Sequence, residues 1–259
     1  MPRKDLKNKP LVEALLEVRW ILPPQQMPDV AGDPHYRLLL GRFSERVQKH
    51  YPFHESLSTA SIPDNMVPHM VQHRFRTQGA GWPLLQIGSG IMTVNDTSGY
   101  TWRDFQARCG EAVSWLIDAH PNQSAFKIQD VTLRYVDAVP FNFETENIFK
   151  FLKDNMKITL ALPDSLFTGT NVAPKPARFN WQASFAHKEP DGTVTIRFAT
   201  GLKDGKPALI WETLVQSAGS QVSDLRTGFP KWLDGAHNIT DDWFFKLIEG
   251  ELERRFSGE

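Results

Sequence analysis

Four residues near the C-terminus have the types and spacing for acid–base chemistry: Asp234, His237, Asp241 and Asp242. A carboxylate that orients an imidazole makes a general base, the pair that many sites use to move protons. His237, Asp234 and Asp241 are therefore the catalytic candidates. No nucleophile is tied to them by spacing, and a neutral His beside helix-capping acids accounts for the same residues.

A second set is suited to binding. Arg19, Arg74, Arg76, Arg134, Arg178 and Arg197 fall among stretches with strand patterning, near Phe75, Tyr135 and Trp181. A sheet presenting arginines between aromatic rings can hold RNA or single strands. Arg74, Arg76, Arg134 and Arg197 are the binding candidates from this set. The ordinary alternative is a water-facing strand whose arginines oppose carboxylates on the next strand. Charge favours the alternative. The chain has 29 Lys and Arg against 30 Asp and Glu. Residues 1–140 carry 15 basic and 14 acidic side chains, and residues 141–259 carry 14 and 16, so neither half is polarised. Phosphate binding needs several unopposed cations, so nucleic acid ranks behind protein as a partner class. Trp82 and Trp232 complete the binding candidates. Both fall outside the strand and helix patterns, and exposed aromatic side chains mark interfaces.

Other reactive residue types read as structural. His69 and His73 sit on a strand pattern, where four residues span ~13 Å, too far to share a metal. His50 and His54 straddle Pro52 and cannot share a helix face. No metal and no cofactor are expected. Gly88-Ser89-Gly90 lacks the Lys and the following helix of a phosphate loop and reads as a hairpin turn. Cys109, the single cysteine, lies on an apolar helical stripe and reads as a buried small hydrophobe. A disulfide-stapled module is excluded, since such modules pair their cysteines.

The elements that position these residues follow from periodicity. Met1 to Lys9 reads as a flexible basic arm, with no apolar run of the kind a signal peptide carries. Val12, Ala14, Leu16, Val18 and Trp20 alternate as a half-buried strand that Pro23-Pro24 stops. Tyr36, Leu40, Phe43, Val47 and Tyr51 form a helical stripe behind Asp33-Pro34. A loop is expected to about Pro68, then a strand around Val71 to Phe75 and the hairpin Leu84 to Val94. Thr101 caps a helix with Trp102, Phe105, Cys109, Val113, Leu116 and Ile117 inward. The order then recurs: a strand at Val131 to Tyr135, a helix at Thr145 to Met156 and a three-stranded meander from Phe179 to Val215. The last of these strands has apolar residues on both sides and is expected to be covered on both faces. A final helix is expected from Thr240-Asp241-Asp242, with acids that suit its dipole. The expectation is an α+β fold, antiparallel sheets with helices on one face. Residues 10–120 and 126–259 would be two copies of a β-α-β-β-β-α unit packed as one pseudo-dimeric domain.

Lys9-Pro10-Leu11-Val12-Glu13-Ala14, Tyr100-Thr101-Trp102-Arg103-Asp104-Phe105, Leu133-Arg134-Tyr135-Val136 and Asp234-Gly235-Ala236-His237 are spread over nearly the whole chain. They resemble a sporadically distributed bacterial family of unknown function. The Tyr100 to Trp102 spacing is one residue tighter than that family's pattern. The resemblance implies a bacterial cytoplasmic protein from an accessory gene and carries no catalytic residue with it. The functional expectation is a non-enzymatic binding or regulatory protein. It would work through contact with a partner protein or as a homodimer, and would not associate with membranes. RNA binding or metal-independent RNA cleavage, using the sheet arginines and a histidine, is the alternative. A third reading is a small-molecule binder with an apolar pocket between the sheet and the final helix.

Overall fold

A computed structural model describes residues 6–23, 32–97, 99–124 and 126–259. The first five residues of the basic arm and Pro24 of the expected strand stop lie outside this set. Nine strands form one antiparallel sheet. In chain order they are β1 (Leu11–Trp20), β2 (Phe53–Ser56), β3 (His73–Arg76), β4 (Leu84–Gly88), β5 (Ile91–Asp96), β6 (Ile128–Pro140), β7 (Asn180–Lys188), β8 (Asp191–Lys203) and β9 (Lys206–Ala218). Their spatial order is β2-β3-β4-β5-β1-β6-β9-β8-β7. The helices are α1 (Tyr36–Val47), α2 (Trp102–Ala119), α3 (Ile148–Met156), α4 (Phe229–Ile248) and α5 (Glu251–Ser257). This is an α+β fold.

Strand alternation decides which face the helices cover. Ala14, Leu16, Val18 and Trp20 of β1 are buried against Phe43 of α1 and Phe105 of α2. Leu209 and Trp211 of β9 are buried with Leu152 of α3, Ile248 of α4 and Phe256 of α5. The opposite face carries Glu17, Arg19, Arg134 and Glu212. β1 and β6 pair at the centre, with Leu16 opposite Leu133 and Val18 opposite Val131. On either side of that seam the strands run alike, β1-β5-β4-β3 one way and β6-β9-β8-β7 the other. β2 and α5 have no counterparts in this arrangement.

Several expectations are corrected. The first stretch has four strands after α1, because Phe53–Ser56 forms β2 inside the expected loop. That strand is short and exposed throughout, so it has no apolar alternation to reveal it. The last helix does not begin at Thr240. It runs unbroken from Phe229, with Pro230 in its first turn, and Thr240 Oγ1 donates back to the Ala236 carbonyl at 3.2 Å. Such back-bonding satisfies a mid-helix hydroxyl without a cap. Gly235 sits in α4 where the β7–β8 turn comes close: a Cβ there would meet the Pro190 ring at 2.9 Å. Residues 6–9 are not a free arm. Leu6 is buried, and Asn8 N–H donates to the Phe256 carbonyl at 2.8 Å. β9 lies between β6 and β8. Its second face, with Ile210, Glu212 and Leu214, is only half-buried. α1 begins at Tyr36 rather than at Pro34, and Asp33 accepts from His35 N–H at 2.8 Å and Trp20 Nε1 at 3.0 Å. Among the described residues no helix is long and apolar enough to cross a membrane.

Candidate functional site

Beside the seam, between the helix layer and the sheet, lies a cavity of about 320 Å³. That volume is at the lower end of the range for small-molecule sites. Four elements build it. β6 alternates Val131, Leu133, Tyr135 and Asp137 toward the helices, so the last two reach the cavity after the first two have filled the core. The β1–β6 pairing shifts register between Leu11 and Glu13, beside Asp137 and Val136. Thr101 Oγ1 accepts from Asp104 N–H at 3.2 Å, and this cap sets Trp102 as the first residue of α2. α4 supplies His237, Thr240, Asp241 and Phe244, spaced as one stripe of a helix.

Polar groups in the cavity wall are linked. The hydroxyls of Tyr100 and Tyr135 are 2.9 Å apart and share a hydrogen bond. The Tyr135 hydroxyl is also 3.0 Å from His237 Nδ1. Burial pushes both phenols above their ordinary range, so they stay neutral and can donate. The His237 ring stacks on the indole of Trp102, with centroids 3.6 Å apart and planes 11° from parallel. Asp241, one turn on, places Oδ1 4.0 Å from His237 Nε2. That is an electrostatic contact and is too long for a hydrogen bond.

Asp137 differs from these. Its residue is 3% exposed, it lines the cavity, and no hydrogen bond or ion pair joins its carboxyl to any described residue. Burial raises its pKa to about 7, against the opposing pull of the Lys203 ammonium. Lys203 itself donates to the Pro10 carbonyl at 3.3 Å. Nearly all buried polar groups in folded proteins have a partner, so this one calls for a physical reason.

Of the catalytic candidates, the structure brings His237 and Asp241 into this cavity and leaves Asp234 out. Asp234 is exposed on another side of α4, where Gln106 of α2 donates to it. Asp242 is also exposed and accepts from Lys246 Nζ at 2.7 Å. Sequence reasoning read Tyr100 and Trp102 as structural or family-pattern residues, weighed Tyr135 as an aromatic beside the sheet arginines, and passed over Asp137. A signal for Asp137 existed: an acid at the period-two position that continues Val131, Leu133 and Tyr135 on an inward face.

The binding candidates scatter. Arg74, Arg76, Arg134 and Arg197 do share the open face of the sheet, but each meets a carboxylate. Glu55 lies 3.4 Å from Arg74 and 3.5 Å from Arg76. Glu212 lies 3.9 Å from Arg134 and 3.6 Å from Arg197. Arg19 pairs with Glu17 at 2.9 Å. Arg178 precedes β7 and is not a strand residue. Trp232 is buried in α4, with Nε1 donating to Ser217 Oγ at 2.8 Å, so it is core and not a surface anchor. Trp82 is half-buried in the turn before β4. The Gly88-Ser89-Gly90 turn joins β4 to β5, and Cys109 is fully buried, which raises its thiol pKa.

His54, from one of the two pairs weighed for metal, meets His73, from the other, across the β2–β3 edge. Nε2 of His54 is 3.1 Å from Nδ1 of His73. Among the described residues no group of three or more His, Cys, Asp or Glu could hold a metal ion. No family model matches the chain, and no curated protein matches it in sequence.

Proposed function

We propose that this chain is a binding protein for a compact organic molecule held in the seam cavity. One observation carries the reading: a half-open cavity of small-molecule size in which aromatic walls meet a few fixed polar groups. Trp102, Phe244 and Phe245 supply apolar surface, while the Tyr100–Tyr135–His237 chain supplies hydrogen-bonding atoms already oriented before a ligand arrives. Preorganisation of this kind lowers the cost of binding. The open face of the sheet supports the RNA alternative less well, because its arginines are opposed by Glu17, Glu55 and Glu212.

The setting we infer is that of a bacterial cytoplasmic accessory protein that passes a ligand signal to a partner protein or to a second copy of itself. The four sequence patterns quoted above support it. The two halves are read as copies of one unit, and the matching strand order about the β1–β6 seam supports that reading.

An aromatic fragment panel tests the ligand-binding function by heteronuclear NMR of the tryptophan indole N–H groups. Binding fragments are expected to shift the Trp102 resonance and leave that of Trp20, buried at the far end of β1, in place. Fragments that bind without moving Trp102, or a panel in which none binds, would sink the reading.

A further inference from the structure

The character of the ligand is the next question, and this step rests on the cavity reading above. We propose that the ligand is an organic cation, a protonated amine on a compact apolar body, and that the Asp137 carboxylate is its counter-ion. Three observations converge. First, Asp137 is 3% exposed, lines the cavity, and has no hydrogen-bond partner among the described residues. A buried carboxyl left unpaired costs free energy that a ligand N–H can recover.

Second, the charged groups among the described residues leave that place open to a cation. Lys203 is engaged with the Pro10 carbonyl and makes no ion pair within 4.0 Å of Asp137. Lys9 is held at the rim, donating to the Tyr100 carbonyl at 3.1 Å. The other acidic side chain in the wall is Asp241, which faces His237. Above about pH 7 an anionic ligand would meet Asp137 as a like charge. A wholly apolar one would leave Asp137 unpaired.

Third, the remaining wall is aromatic. Trp102, Tyr100, Phe244 and Phe245 present ring surfaces whose negative faces attract a cation as well as an apolar body. Asp137 and the rings together select for charge at one end and hydrophobicity at the other.

Three probes of one size and different charge test this: phenethylamine, phenethyl alcohol and phenylacetate. Ligand-observed NMR and calorimetry at about pH 8 would give their affinities for the full chain. The amine is expected to bind about ten- to a hundredfold more tightly than the alcohol, the range for a hydrogen bond to a charged group. Phenylacetate is expected to bind most weakly. In Asp137→Asn the amine should lose its advantage over the alcohol, while alcohol binding stays within about threefold of the parent protein. Equal affinities for amine and alcohol in the parent protein would overturn the cation assignment and leave the cavity reading standing. Binding of none of the three would overturn both. The parent-protein comparison stands whether or not the variant folds.

Discussion

The charged side chains of the open face and the Asp137 carboxyl on the helix face are treated in opposite ways. On the open face, charged groups come with partners. Arg74 Nε donates to Gln86 Oε1 at 2.9 Å, and Gln86 Nε2 in turn donates to Asn95 Oδ1 at 3.2 Å. Asn95 passes the chain on, donating to Glu13 Oε1 at 2.7 Å. The ladder crosses from β3 through β4 and β5 to β1. On the helix face, Asp137 sits among apolar and aromatic groups and closes on nothing. The difference separates two kinds of polar residue. Satisfied side chains on a pleated surface account for themselves by sheet stability. A buried carboxyl that lines a cavity without a partner is a cost that a bound group can offset.

The contrast between the faces can be broken or sharpened by substitution. The largest effect belongs to the core that carries the cavity. Phe105→Ala should cost about 3–5 kcal/mol in denaturant unfolding, because Phe105 is fully buried beneath α2. Trp102→Ala should cost distinctly less, since Trp102 is half-buried and stacks on the His237 ring in the cavity wall. Its main effect should be on ligand binding. Equal costs would mean that Trp102 is core and not cavity wall.

Next comes Asp137. Its carboxyl titrates near 3.8 when unfolded and at about 7 when folded. Between these values the folded chain holds the extra proton, so stability falls as pH rises from about 4 to about 7 and is level above that. The full difference is on the order of 4 kcal/mol, from about three pKa units. Unfolding of Asp137→Asn followed across that window should show this slope removed. A slope unchanged from the parent would show that Asp137 is not the source.

Tyr135→Phe deletes the hydroxyl that meets both Tyr100 and His237, and should cost about 1–2 kcal/mol in thermal unfolding. The smallest effect is expected on the open face. Arg74→Ala should change stability by less than about 1 kcal/mol and leave amine binding unaltered. Strong, salt-sensitive RNA binding by the parent protein, lost in Arg74→Ala, would reverse the ranking of the two faces.

Much of this fold was legible because burial imposes a period. β1, β6, β7 and β8 show alternation, and α2 shows its stripe from Phe105 to Ile117, since one side of each packs on a core. β2 was hidden because an exposed four-residue strand has no such constraint. The first half of α4 was hidden by Pro230 and Gly235, residues that are common in loops. Here one fills the first turn and the other admits the β7–β8 turn. The candidate site was half legible. His237 and Asp241 stood out by type and spacing, and α4 does bring them to one cavity. Tyr100, Trp102 and Tyr135 looked like core because aromatic residues usually are. Local periodicity puts Asp137 on the same face as Tyr135, but the packing of α2 and α4 that brings Trp102 and His237 to them is not written in local periodicity.

The most direct measurement is the titration of the Asp137 side-chain carboxyl by carbon NMR, with and without saturating phenethylamine. In the free protein the midpoint should lie at about 7. With the amine bound it should fall toward the ordinary carboxylate range, because a neighbouring cation favours the charged form. A midpoint that the amine does not move would contradict the account.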